Sequence, residues 1–385
     1  MKLFNRTQFK NFDWILFALI MTLCVVGIIS IMNATANPYP DDESAGLLAR
    51  IDWHTVLLQS AWILVGTLFL FVMQMMDYTV IGEHAKLLYW ISVGLLVAVL
   101  VTGYASRGTQ GWFQIIGDRT IQPSELGKII LIIMLSKMVS KKMDTGGITG
   151  FRDIIDVMIL FAIPFGLIML QPDWGTAFVY VCIFFGILFA AEVNWKIILS
   201  IIGTGLAMLP VVFFVFMQSW QRERILNFFN ATRDTSGSGL NVYNSKIAIG
   251  SGGLFGKGLF NEANLSSLNY VPEKHTDFIF SATTEALGFV GGMVILALYA
   301  LLIFRALSIA SQSRDKLGYL MVIGVVAMEV FHIFENIGMT MGIMPVTGIP
   351  LPFLSYGGSS MLTNMIAFGL VLNVGLKRQP IPALH

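Results

Sequence analysis

The sequence predicts an all-α, polytopic integral membrane protein with about ten transmembrane helices. Both termini are placed in the cytoplasm, with one long extracytoplasmic loop. Three observations lead there. Of 385 residues, 56% are hydrophobic and only 12% charged, against roughly 25% charged in an ordinary soluble domain. Long stretches without charge recur at the length a bilayer demands, about 20 residues at 1.5 Å each. Basic residues gather in alternate short loops. A soluble globular enzyme is excluded by this composition, and a formal net charge of +1 leaves no basic face for nucleic acid.

Residues 14–40, 53–76, 87–106, 174–191, 197–221, 286–304 and 336–376 contain no Asp, Glu, Lys or Arg. Three further apolar runs tolerate a few charges: 123–140 holds Glu125 and Lys128, 155–171 begins beside Asp156, and 317–340 holds Glu329 and Glu335. The expected spans are therefore 13–33, 54–76, 87–104, 123–140, 155–171, 175–191, 197–217, 278–304, 317–340 and 356–376. The first has a basic flank (Lys2, Arg6, Lys10), as a signal peptide would. Its length and the lack of a small-residue cleavage site favour a retained helix. Cys24 and Cys182 lie inside apolar runs and read as core residues.

With the N-terminus inside, short loops carry 14 basic residues on the cytoplasmic side and 3 on the other, as the positive-inside rule requires. The acidic segment 38–46, "PYPDDESAG", falls outside and reads as solvated surface. No repeat or linker divides the chain, so residues 1–385 read as one membrane domain. The connection 218–277 is long enough to expect a function of its own.

The segments rich in Gly, Pro, Trp and charge all follow an odd number of spans, and so converge on the external face. They are "SRGTQGWFQIIGDRTIQPSELGK" (106–128), "QPDWGTA" (171–177), the 218–277 connection and "TGIPLPFLSYGGSS" (347–360). Within the long connection, "SWQRERILNFFN" (219–230) carries Trp220, Arg222 and Arg224 on a helix suited to anchoring at the interface or to contacting lipid phosphate. "NSKIAIGSGGLFGKG" (244–258), with Lys246 and Lys257, is either a flexible re-entrant turn or a backbone cradle for a diphosphate. It lacks the order of a nucleotide P-loop. "VPEKHTDFIFSATTEALG" (271–288) brings Glu273, His275, Asp277 and Glu285 to a loop-helix junction. Asp277 is there either a helix N-cap or a functional carboxylate at membrane depth. Glu125 and Lys128, three apart, are expected to pair. Asp173 is expected to cap the sixth span. Glu329, His332 and Glu335 have a spacing that could ligate a metal, but no partner on another helix is evident, so no metal site is assigned.

Taken in order, "QPSELGK", "QPDWGTA", "SKIAIGSGGLFGKG", "PEKHTDFIF" and "NIGMTMGIMPVTGIPLPFLSYGGSS" resemble the SEDS family (shape, elongation, division and sporulation), which includes RodA and FtsW. The likeness runs from the first helix to the last and is greatest to the RodA-type elongation members. It implies a peptidoglycan glycosyltransferase that polymerises lipid II at the outer face of the bacterial cytoplasmic membrane. By resemblance Asp277 is the catalytic residue, Trp112 the loop tryptophan, and Glu125 and Lys128 the pair of the "QPSExxK" motif. Two positions depart from the family pattern: Gly111 precedes Trp112, and Gly239, Leu240 and Asn241 replace the usual "GYQ".

The implied reaction needs a base for the acceptor hydroxyl and cations for the departing diphosphate. Asp277 is the expected base. Lys128, Arg222, Arg224 and Lys246 are the expected cations, Glu125 would hold Lys128, and Trp112 would stack on sugar or cover the site. Lys257 and His275 complete the substrate-binding candidates. No nucleotide is required, and a divalent cation (Mg or Mn) at the diphosphate is the one cofactor to consider. Expected partners are lipid II, the lipid-linked glycan, membrane lipids and a class B penicillin-binding protein transpeptidase, docked through the eighth and ninth spans and the outer loop. Two alternatives belong to other classes, a lipid II flippase and a non-catalytic scaffold for that transpeptidase.

Overall fold

The computed structural model describes residues 11–37, 46–106, 109–114, 120–229 and 238–377. The basic flank at Lys2, Arg6 and Lys10 and nearly all of the acidic segment 38–46 lie outside the described residues. The chain opens with α1 (Trp14–Thr35), the short α2 (Leu47–Arg50), α3 (Trp53–Met75), the short α4 (Tyr78–Glu83) and α5 (Ala85–Thr102). A small antiparallel sheet follows, of β1 (Tyr104–Ser106), β2 (Thr109–Gln114) and β3 (Thr120–Ile121), with Tyr104 opposite Trp112 and Gln114 opposite Thr120. Then come α6 (Pro123–Asp144), α7 (Phe151–Leu170), α8 (Trp174–Ala190) and α9 (Trp195–Val211), the last continued by a π turn, Val212–Phe216. The long connection contains α10 (Ser219–Phe229) and α11 (Ser238–Ser251). Three long helices close the chain: α12 (Ile279–Ser311), α13 (Lys316–Thr340) and α14 (Gly358–Leu376).

All ten expected spans are present as helices. Eight of them are long and apolar enough to cross a membrane by themselves. Of the other two, α6 is diluted by Glu125, Lys128 and a basic end, and α8 has only 17 residues. This is a multi-pass membrane protein. Several of its scarce aspartates sit at helix starts, where unpaired amides need an acceptor. Asp13 accepts from Leu16, Asp52 from His54 and Thr55, Asp173 from Thr176, and Asp315 from Gly318. Cys24 is buried and Cys182 half-buried, both as free thiols.

The helices are not equivalent. Of the apolar windows, 72% of that in α14 and 61% of that in α13 is buried, against 6% in α9. Helix α13 packs on α6, α8, α12 and α14 and forms the centre, while α9 lies at the periphery. Small residues let the central helices approach, the general device for packing within a bilayer. A Cβ at Gly186 of α8 would stand 2.5 Å from the Ala327 side chain, and one at Gly324 of α13 would stand 2.7 Å from Ile132 of α6.

Helix α12 is broken at Gly288 (φ 70°, ψ −170°), and the Gly-rich segment after α11 fills the break. Lys257 and Gly258 donate their amides to the carbonyls of Glu285 and Ala286 (3.1 and 3.0 Å). Phe289 and Val290 donate theirs to Gly253 and Leu254 (2.8 and 3.1 Å). A kink at membrane depth is tolerated only if its freed backbone groups find partners, and here loop and helix supply them to each other. Glu285, fully buried, completes the join: its carboxylate accepts from Lys257, the amides of Leu265 and Ser266 and the Ser266 hydroxyl. The segment is thus neither a flexible turn nor an open cradle, because the amides of Lys257 and Gly258 are committed to α12.

This interlock makes two neighbouring glycines unequal. Gly256 (φ +82°) has the Ala286 carbonyl where a Cβ would go, whereas Gly253 (φ +55°) has open space. Gly256→Ala is expected to cost about 2–4 kcal/mol and Gly253→Ala about 1 kcal/mol, the backbone strain alone. Thermal unfolding of the two variants in detergent checks the order; equal losses would contradict it.

Candidate active site

A cavity of about 850 Å³ lies where the four polar connections meet. Trp112 and Gln122 enter from the sheet and the start of α6, Asp173 and Trp174 from the start of α8, and Ile225 and Phe228 from α10. Thr276 and Asp277 come from the turn before α12, and residues 345–350 and 356–360 from the segment before α14. Leu209, Val212 and Phe213, at the end of the peripheral α9 and its π turn, form one wall.

Asp277 is held by main-chain ties on both sides. Asn336 of α13, fully buried, donates one amide hydrogen to the Asp277 carbonyl and the other to the Ile349 carbonyl, both at 2.8 Å. The Ser355 hydroxyl donates to the Thr276 carbonyl (2.6 Å), and the Tyr356 amide donates to the His275 carbonyl (2.9 Å). Gly348 brings the 345–350 segment against the carboxylate, since a Cβ there would stand 3.5 Å from Asp277 Oδ2. The N-cap position of α12 belongs to Phe278, which makes no side-chain cap. Helix capping therefore does not account for Asp277.

Lys128 lies on the cavity floor and is only 2% exposed. Its ammonium donates to Glu125 Oε1 at 2.7 Å, the pair expected from their spacing, and is 3.0 Å from His332 Nε2 across on α13. A charge buried at this depth is strongly unfavourable without partners, and two helices supply them. The rest of the expected Glu329, His332 and Glu335 triplet is divided. Glu335 accepts from the Thr347 hydroxyl, while Glu329 is fully buried with neither oxygen hydrogen-bonded among the described residues.

Asp173 caps α8 through the Thr176 amide (3.0 Å) and accepts from Gln122 Nε2 at 2.7 Å, which joins the two Gln-Pro motifs. Burial pushes its carboxyl above the usual range, against the Thr176 hydrogen bonds. Gly111 lies beside Gln171 and Gln122, and a Cβ there would stand 3.3 Å from Gln171 Oε1. The departure from the family pattern at this position thus coincides with tight packing behind Trp112.

Trp112, Glu125, Lys128, Asp173 and Asp277 are therefore brought together. Arg222, Lys246, Lys257 and His275 are not among the described residues lining the cavity. Arg222 donates from Nε to the Met217 carbonyl at 3.1 Å, Lys246 is exposed on α11, and Lys257 is paired with Glu285 at 2.7 Å. The His275 ring packs near that of Tyr356, with centroids 5.7 Å apart. The side chains of Trp220 and Arg224 lie outside the described residues. Gln122, Asn336 and Tyr356 escaped notice in the sequence, although Gln122 and Gln171 each precede a proline in two of the quoted motifs, and His332 was read only as part of a metal-like spacing with Glu329 and Glu335. Among the described residues no three His, Cys, Asp or Glu side chains converge to hold a metal ion. Glu125 and Asp173 are committed to Lys128, Gln122 and Thr176. Among the described residues these side chains do not form a divalent-ion cage.

Buried polar atoms normally have partners. Glu125 Oε2 and Trp174 Nε1, on residues lining the cavity, have none among the described residues, which suits a polar ligand. The fold and cavity define a multi-pass membrane protein with a charged cavity where its polar connections meet. The sequence profile of the family described as cell cycle protein, covering FtsW, RodA and SpoVE, matches residues 11–379, and the chain belongs to this family. It is 36% identical to the peptidoglycan glycosyltransferase MrdB of Escherichia coli K12 over 319 residues, 82% of this chain and 84% of that protein. A chain of a solved peptidoglycan synthase complex, described as structurally coordinating polymerization and crosslinking, superposes with a TM-score of 0.79 at 29% identity, covering 94% of this chain and 97% of that one. The crystal structure of the rod shape determining protein RodA of Thermus thermophilus superposes with a TM-score of 0.70 at 28% identity, covering 96% and 98%.

Lys274, three residues before Asp277, donates to the Ser266 carbonyl at 2.7 Å, and burial pulls its ammonium down to about 8. The unfolded chain holds that proton to about pH 10.4. Between those values the unfolded state binds more protons, so this group's contribution to stability rises with pH and is lost as pH falls through 8. The difference in unfolding midpoint between the unsubstituted protein and Lys274→Met is therefore expected to change in the unsubstituted protein's favour from pH 8 to 10. A difference independent of pH would refute it.

Proposed function

We propose that this protein is a peptidoglycan glycosyltransferase that polymerises lipid II into glycan strands at the outer face of the cytoplasmic membrane during cell elongation. The supporting observation is the single cavity in which Asp277, the Glu125–Lys128 pair and Trp112 meet, built from the connections that follow odd-numbered spans. In this reading the molecule acts as one membrane domain, with segment 218–277 contributing part of the site.

Asp277 takes the proton from the C4 hydroxyl of the incoming lipid II. That oxygen attacks the anomeric carbon of the lipid-linked growing chain, a new glycosidic bond forms with inversion, and the bond to the lipid diphosphate breaks. The donor carries its own leaving group, so no nucleotide is consumed. Lys128, at the cavity and preorganised by its partners, meets the charge that develops on the departing diphosphate. Trp112 stacks on sugar or covers the site. Polymerization coupled to crosslinking in the related complex supports a class B penicillin-binding protein as partner, docked through α12, α13 and the outer loop.

Asp277→Asn is expected to preserve expression and membrane insertion while lowering polymer formation from labelled lipid II in detergent by about 10³-fold. Substantial residual polymerisation would remove Asp277 as the base. A flippase would form no polymer in detergent at all, and a scaffold would be indifferent to the substitution.

A further inference from the structure

The Lys128 ammonium has three hydrogens to donate. One goes to Glu125 Oε1 on its own helix, and a second to His332 Nε2 on α13. For Nε2 to accept, the imidazole must be neutral with its proton on Nδ1. His332 is as buried as the lysine, at 2% exposure, and its Nδ1 has no hydrogen-bond partner among the described residues. A tetrahedral ammonium with two hydrogens directed to fixed acceptors on different helices has its third direction fixed as well, and Lys128 lines the cavity. Ionisable groups within electrostatic reach of Lys128 include Asp173 before α8 and Glu329, one turn from His332.

We propose that His332 is a positioning residue for glycosyl transfer: with Glu125 it forms a two-sided cradle that fixes the Lys128 ammonium so that its remaining N–H meets the departing diphosphate. Glu125 alone would leave the ammonium free to turn about a single contact, and a donor misplaced by an ångström loses much of its effect on a transition state. The inference rests on Lys128 serving the diphosphate, as proposed above. It gives α13 a double duty, since the same helix fixes Asp277 through Asn336 and Lys128 through His332.

The test compares purified full-length His332→Leu, His332→Gln and Lys128→Met in detergent with labelled lipid II. His332→Leu is expected to lower kcat about 10- to 100-fold with KM within about threefold. His332→Gln, whose amide oxygen accepts in place of Nε2, should recover activity to within about threefold. If His332→Leu does not accumulate, His332→Met supplies the same contrast. Equal impairment of the leucine and glutamine variants, an unimpaired leucine variant, or a loss that falls on KM rather than kcat would each overturn the proposal. Full activity of Lys128→Met would overturn it by a separate route, by removing Lys128 from the reaction whatever His332 does.

Discussion

A lysine ammonium buried inside a helix bundle sets the terms for the rest of this molecule. Lys128 is only 2% exposed, so its charge must be answered largely where it stands. Glu125 answers from the same helix and His332 from α13. The requirement couples α6 to the central helix just where small residues allow the two to approach. The same helix reaches the Asp277 turn through Asn336. Cation and carboxylate are thereby placed relative to one shared rigid element, which is how a site on rigid elements keeps its geometry.

Around that axis the cavity is assembled from unlike parts. Its floor is charged and deeply packed, while one wall belongs to α9 and its π turn, which hardly enter the core. Between these lie connections fastened mostly through main-chain atoms: Ser355 to Thr276, Tyr356 to His275, and Asn336 to Ile349. Such ties fix the backbone of the cavity wall through atoms that do not depend on the cavity-facing side chains. The substrates of the proposed reaction combine a polyprenyl tail, a diphosphate and sugars, and so call for this mixture of apolar wall, buried cation and aromatic surface.

The spans were legible because apolar runs of bilayer length have few alternative uses, and even the weak ones, α6 and α8, stood out between charged or Pro-containing connections. The convergence of polar segments followed from counting spans. The Glu125–Lys128 pair was legible because three residues make one helix turn. His332 was not: its partner lies 204 positions away, and its spacing from Glu329 and Glu335 suggested a metal. The sheet was missed because its strands of three, six and two residues are too short for an alternating pattern. Asp277 was ambiguous between cap and function, and by one residue of register the cap position falls to Phe278. The Gly-rich segment misled because abundant glycine marks both loose turns and close backbone contact, and only the broken α12 distinguishes them.

The exchange of backbone hydrogen bonds at Gly288 has a bearing on how this protein tolerates change. Main-chain donors and acceptors are the same for nearly every amino acid, so Leu254, Ala286 and Phe289 hold their places by atoms that substitution leaves intact, while Lys257 adds its side-chain pair with Glu285. Sensitivity is instead concentrated at the glycines, where a single added carbon has nowhere to go. The frame behind Asp277 is thus brittle at a few points and permissive between them, and sequence drift around the site can proceed without moving the carboxylate it surrounds.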